Sequence, residues 1–311
     1  MKNKIIATIA AFSLVGSAHA VDVNDNLSIS GFIDGSYQST EQTGSADTQQ
    51  LGIDEVEIDF LFNVSNVSGE VHVDNGADGS SDFDIEQAHF SYSLENGVNF
   101  TFGRFGSSLG FEREDPAGLY TFSRAYNQDF NFGNVNNNVF DGIAVGYSAE
   151  QFSINAAFVN QTANRALLEG NDLDLELSVN YTGIENLNIG LGYYFDNESV
   201  STSENDVLNI HASTSFGKLF LAAEYSEIAN DTNGDRDAYM LLADYDISDK
   251  FGIAVRVSSY EVAGNTDDVD KLTIAPNYSI TDSLGVIVEY SDIDEGTTDT
   301  DSIAVELTYT F

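Results

Sequence analysis

Residues 106–137 concentrate the groups with most chemistry to offer. Arg113 and Arg124 lie inside this stretch and Arg104 just before it, three of only nine Lys and Arg beyond residue 20. They are interleaved with Glu112, Glu114, Asp115 and Asp129. Guanidinium and carboxylate groups held on opposite sides of a water-filled gap set a transverse field that sorts charged solutes. A second set is spread along the chain, each member between apolar or small neighbours: Asp34, Glu57, Asp59, His89, Asp174, Glu176 and Arg256. Glu55, Glu70, Glu224, Asp244, Glu289 and Glu306 follow the same spacing. Carboxylates collected on one face favour cations, and Arg256 reads as the lone cation among them.

Other chemistry has thinner support. The absence of Cys removes thiolate metal sites and disulfides. His72, His89 and His211 fall far apart, with no pair at metal-ligand spacing, so neither a metal nor a cofactor is expected. Ser and Asp are so abundant that some Ser-His-Asp set is always available by chain order, which gives such a set little weight. The run Asp231-Thr232-Asn233-Gly234-Asp235 opens like a calcium loop. It has no Gly at the sixth position and no Glu at the twelfth, and so reads as a solvated loop.

The elements that must position these groups are strands. Ile303, Val305, Leu307, Tyr309 and Phe311 share one parity, with Ala304, Glu306, Thr308 and Thr310 on the other; that period of two marks a strand with unlike faces. The same alternation predicts sixteen strands. The first eight are 26–38, 51–65, 68–75, 82–93, 97–104, 138–147, 151–162 and 172–182. The second eight are 186–196, 205–216, 218–227, 236–247, 250–260, 268–280, 283–293 and 299–311. Most are longer than the roughly 5–6 residues usual in soluble sheets and match a tilted membrane strand of about 9–11. Connections alternate between tight turns, such as Asn66-Val67 and Ser248-Asp249, and longer polar loops, such as 39–50 and 106–137. Short turns on one side and long loops on the other belong to a transmembrane antiparallel up-and-down barrel. A secreted acidic β-sandwich would share the composition but has no reason to keep that order.

Aromatic residues support the same reading, since Tyr and Phe gather near strand ends on the apolar parity, as in interfacial girdles. Tyr92, Tyr147, Tyr181, Phe216, Tyr245, Phe251, Tyr278 and Tyr309 fall on the turn side, and Tyr37, Phe195, Tyr225 and Tyr290 on the loop side. Pro276 interrupts a predicted strand and is expected to mark a bulge. Arg104 has the outward parity of Phe100 and Phe102, so the strand is expected to end or bulge there.

The ends and the charge bound the compartment. Lys2 and Lys4, the apolar run from Ile5 to Val15 and Ala18-His19-Ala20 read as a signal peptide over 1–20. That leaves 21–311 as the barrel. Nine cations against 51 carboxylates give the part after residue 20 a net charge of −42, which excludes nucleic acid as a partner. With 21 Phe and 15 Tyr, the acidity does not signal disorder.

A resemblance sharpens this. Asp84-Ile85-Glu86-Gln87-Ala88-His89-Phe90-Ser91-Tyr92 precedes Phe102-Gly103-Arg104-Phe105-Gly106. Leu109-Gly110-Phe111-Glu112, Pro116, Tyr120 and Phe122-Ser123-Arg124-Ala125-Tyr126 follow. The order resembles the OmpL-like β-barrel porin family, with Phe122 inserted and Ala125 replacing a small hydroxyl residue. The resemblance covers about 45 residues and implies an outer-membrane pore for small hydrophilic solutes. The third long loop, 106–137, would then fold into the lumen. Tyr309 and the terminal Phe311 resemble the signal read by the barrel assembly machinery. Outer-membrane lipid and lipopolysaccharide are the implied surroundings, and fold-level analogy suggests a homotrimer. An outer-membrane barrel enzyme and a structural or adhesive barrel stand as the alternatives.

Overall fold

The computed structural model describes residues 20–75, 83–112, 115–126, 139–160, 173–197, 205–230, 234–262, 264 and 268–311. A short strand β1 (Val21–Asn24) turns back onto β2 (Leu27–Gln42). Then come β3 (Thr48–Val64), β4 (Val67–Asn75), β5 (Asp84–Ser93) and β6 (Val98–Gly106). After a single 3-10 turn at Pro116–Gly118, the chain continues through β7 (Val139–Ser148), β8 (Phe152–Asn160), β9 (Asp174–Ile184), β10 (Leu187–Phe195) and β11 (Asn205–Phe216). The last six strands are β12 (Leu219–Asn230), β13 (Arg236–Asp246), β14 (Phe251–Glu261), β15 (Asp268–Thr281), β16 (Leu284–Glu295) and β17 (Thr298–Thr310). Each strand from β2 onward pairs antiparallel with its sequence neighbours, and β17 pairs with β2. The sheet of sixteen strands is therefore a closed barrel.

Closure explains how the sequence can carry apolar residues outward. Leu51, Phe102, Phe158, Leu241 and Ile303 are all more than half exposed, a burial pattern that water would oppose and hydrocarbon favours. The twelve aromatic positions assigned to the two girdles are exposed as well. On the loop side, two of these hydroxyls donate to carboxylates above the apolar band: Tyr225 to Asp237 at 2.6 Å and Tyr290 to Asp301 at 2.5 Å.

Four local expectations are corrected. The first polar connection spans only 43–47, because β2 and β3 keep pairing up to Thr40↔Thr48. β16 and β17 meet through Gly296-Thr297 alone. Above the bilayer a ladder can continue without apolar side chains, so polarity there does not end a strand. Pro276 makes no bulge: it sits opposite Ile253, and the pairing toward β16 lapses at Ala275–Pro276 and resumes at Asn277↔Ile287 in unchanged register. The shift falls later, between Ser279 and Thr281. Nor does β6 end at Arg104, which stays in register opposite Ala88 and Asp141.

The closing seam depends on Gly31. Its N–H donates to the Phe311 carbonyl and its carbonyl accepts from the Phe311 N–H, each at 3.0 Å. Gly31 has φ +155°, and a Cβ there would stand 2.2 Å from the Glu57 carbonyl oxygen and 3.0 Å from the Phe311 ring. Gly31→Val should therefore cost about 3 kcal/mol or more of overpacking. Heat-modifiable migration on SDS gels, which reports a closed barrel, is expected to be lost or strongly reduced. A variant migrating like the parent would show that the seam tolerates a side chain.

Candidate functional site

The connection after β6 turns inward at once. Gly106 donates its N–H to Gln87 Oε1 at 3.1 Å. Ser107 and Ser108 then converge on the inward carboxylate Glu176 of β9: Ser107 Oγ at 2.5 Å, Ser108 Oγ at 2.6 Å and the Ser108 N–H at 2.8 Å. Leu109, 1 % exposed, rests where Gly192 of β10 has no side chain; a Cβ there would stand 2.6 Å from Leu109 Cγ. Next, the Gly110 N–H donates to Asn209 Oδ1 on β11 and the Phe111 N–H to Glu224 Oε1 on β12 at 2.6 Å. The ring of Tyr120 stacks on Phe220 at 4.9 Å between centroids, with Phe111 stacked at 6.2 Å. Burial, and then the nearby carboxylates Asp244 and Glu224, push the Tyr120 and Tyr126 hydroxyls well above their ordinary range, so both stay neutral.

The return leg is held by Arg256 of β14, which is fully buried. Its guanidinium donates at 2.7 Å to Glu112 Oε1, to Thr121 Oγ1 and to the Ser123 carbonyl, and at 3.1 Å to Ser123 Oγ. Glu112 accepts from the Ala125 N–H through its other oxygen at 2.6 Å, and its carbonyl accepts from Arg124. Ser123 also donates to Glu289 of β16 at 2.5 Å through its hydroxyl. Lys271 of β15 donates to Ser123 Oγ and to the Arg124 carbonyl. Residues 107–112 and 119–126 are thus fastened to side chains on the inner wall from β9 to β16.

The wall formed by β3, β4 and β5 carries carboxylates instead. His72 Nδ1 lies 3.0 Å from Glu57 and 3.3 Å from Asp59, and its Nε2 lies 3.3 Å from Glu70. Asp115 of the loop approaches Glu57 and Glu86 closely enough for one oxygen of each to fall within 4.8 Å of the others. Arg124 is near enough to act electrostatically on Glu55. Below the loop, toward the short turns, a cavity of about 790 Å³ opens between Pro116–Tyr120 and the turn-side ends of β11 to β17.

Of the residues assigned to a constriction, Glu112, Asp115 and Arg124 lie together inside the barrel. Arg113, Glu114 and Asp129 lie outside the described residues. Arg104 is elsewhere: it has outward parity and pairs across strands with Asp141 at 2.9 Å. An outward cation beside an outward carboxylate needs no bulge.

Among the expected lumen residues, Asp34, Glu57, Asp59, His89, Asp174, Glu176 and Arg256 all belong to strands. Arg256 does not line open water, because the loop covers it completely. Glu176 and Asp174 are likewise buried, Asp174 accepting from the Tyr194 hydroxyl at 2.7 Å. Nor is Arg256 a lone inward cation, since Lys271 shares its work.

Glu86 was missed because pairing shifts between His72 and Val73, which puts Glu86 and Gln87 on the same side. The hydroxyls of Ser107, Ser108, Thr121 and Ser123 were also missed. Their clustering around Gly-rich turns was the available signal.

A protein-family model described as Gram-negative porin matches residues 7–298. The chain belongs to the Gram-negative porin family. It is an outer-membrane channel protein. Among solved structures, this porin is similar to an anion-selective porin from Comamonas acidovorans, with TM-score 0.72 and 12 % identity over 92 % of this chain and 99 % of that one. It is as similar to OmpF of Salmonella typhi in complex with daunomycin, again with TM-score 0.72 and 12 % identity, over 94 % and 100 %. The trimer form of OmpT, an outer membrane protein of Vibrio cholerae, matches with TM-score 0.62 and 15 % identity over 92 % and 100 %. Identities this low speak to the fold alone. Among curated proteins, no sequence matches this porin.

Removing the Arg256 charge should release the loop, because Glu112 would keep a buried carboxylate without its cation, at a cost of about 3–5 kcal/mol. In Arg256→Met, trypsin cleavage after Arg124 is expected to rise by about 100-fold or more, in line with the larger open population. Cleavage at the parent rate would mean that the loop is held by its other contacts.

Proposed function

We propose that this porin is a passive diffusion pore for small hydrophilic solutes and ions with a preference for cations, narrowed by loop 106–137. The observation that carries the preference is an asymmetry inside the barrel. Arg256 is consumed by the loop, and Lys271 donates to it, while β3, β4 and β5, which carry Glu55, Glu57, Asp59, Glu70 and Glu86, contain no Lys or Arg and set beside them His72 and His89, with Arg124 of the loop acting on Glu55. The likeness to an anion-selective porin bears on the barrel, whereas the sign of the preference comes from side chains that a 12 % identity does not share. Narrowing is supported by the contacts that residues 107–112 and 119–126 make with side chains of β9 to β16 inside the barrel.

Several finer assignments go with this reading. The motifs between Asp84 and Tyr126 support reading the chain as one of the OmpL-like porins. Residues 1–20 act as a cleaved signal peptide. Outer-membrane lipid and lipopolysaccharide contact the exposed apolar belt, and a homotrimer is the assembly in keeping with the trimeric relative in fold. Tyr309 and Phe311, whose rings lie 6.0 Å apart, serve as the signal for the assembly machinery.

Planar-bilayer recording tests the pore. Discrete conductance steps are expected, with a reversal potential in a salt gradient that favours cations. Deleting 106–137 should raise the step size. No conductance from folded protein would sink the pore, anion preference would sink the charge argument, and an unchanged step after deletion would sink the constriction. Deleting Phe311 should lower the amount of folded protein in the outer membrane severalfold, read by heat-modifiable migration of isolated membranes. Parent levels would remove Phe311 from the assembly signal.

A further inference from the structure

We propose that Glu57, Glu86 and Asp115 bind one calcium-class divalent cation, which clips the loop to the wall opposite its hydrogen-bonded anchors. The three carboxylates come from β3, from β5 and from the loop just before Pro116–Gly118, and one oxygen of each falls within 4.8 Å of the other two. Calcium takes oxygen ligands at roughly 2.3–2.6 Å, so two oxygens on one ion stand at most about 5 Å apart. The trio is therefore already within a single ion's span. Three carboxylates at this separation repel strongly, and a dication reverses the sign of every one of those interactions.

Glu57 supplies the independent observation. It is only 1 % exposed, yet among the described residues its Oε2 has no hydrogen-bond partner. Its Oε1 is ion-paired with His72 Nδ1 at 3.0 Å, but its Oε2 meets no donor. Glu86 Oε2 is also buried without one. The oxygens of a buried carboxylate are normally hydrogen-bonded, paired or bound to a metal, and here one oxygen of Glu57 and one of Glu86 meet no donor in carboxylates that lie close to a third on the loop. All-carboxylate oxygen ligands select a hard cation over a transition metal. The overlapping set Glu57, Asp59 and His72 offers a softer nitrogen and is the competing arrangement.

The site rests on the loop lying in the lumen and not on ion passage, so it can be read without a current. Titration calorimetry of the folded, full-length protein with calcium chloride should show one saturable site per chain. The affinity should fall at least about tenfold when a charged ligand is removed, in Glu86→Gln and in Asp115→Asn. Asp244→Asn, which removes an inward carboxylate outside the trio, should leave it unchanged. Asp115→Asn lies in the loop, outside the barrel wall, and decides the matter if Glu86→Gln does not fold. Absence of saturable binding, equal affinity in both variants and parent, or preferential binding of zinc would each overturn the proposal. A protein that conducts without binding calcium would lose this site and keep its pore.

Discussion

A backbone N–H or C=O without a partner in hydrocarbon costs several kcal/mol, and the rest of this molecule follows from avoiding that cost. No strand can be left with a free edge, so β17 must find β2. The Gly31–Phe311 pair of hydrogen bonds finishes that seam. Once the sheet is closed, alternation has only two destinations. One parity faces lipid and must be apolar; the other faces an interior where polar side chains are affordable. A chain with 51 carboxylates and so few cations must place its charge inside, on the turns or on the loops that rise beyond the membrane.

Inside, the carboxylates divide between two tasks. On β9, β12 and β16, Glu176, Glu224 and Glu289 act as acceptors for the backbone and hydroxyl donors of the loop. These bonds are charge-assisted and stronger than bonds between neutral groups. They satisfy a segment that has almost no secondary structure of its own, where unmet N–H groups would otherwise be the main cost of burial. Arg256 works in the opposite sense, donating to Glu112, Thr121 and Ser123 together. On β3, β4 and β5 the carboxylates have no comparable set of donors and gather around His72 instead.

The period-two pattern was legible along nearly the whole chain because the two sides of each strand meet solvents of opposite kind. Strand ends were less legible wherever the ladder continued into water, as between Tyr37 and Gln50, because nothing there demands an apolar parity. Parity also fails across a shift of register. Glu86 follows one, and so a residue beside the loop was read as lying outside the inward set. The role of Arg256 was illegible for a different reason: parity says which way a side chain points, not what covers it. Only the contacts between positions more than a hundred residues apart, such as Arg256 with Glu112, turn an apparent lumen cation into an anchor.

The same covering bears on how a porin of this fold acquires a sign of preference. Two charges 4 Å apart interact by roughly 1 kcal/mol in water and about 4 kcal/mol near a protein surface, so charges beside a narrow path outweigh those in a wide vestibule. A cation buried under the loop and bonded to Glu112 acts on passing solutes as part of a compensated pair. A carboxylate facing it across the gap would act on a passing solute only to the extent that no such partner compensates it. The net count of inward residues is therefore a poor guide to preference, and the loop's choice of which charges to cover is the better one. Sliding the same loop toward β3 and β5 would uncover Arg256 and Lys271, hide the acidic wall and reverse the field, with no change in the barrel itself.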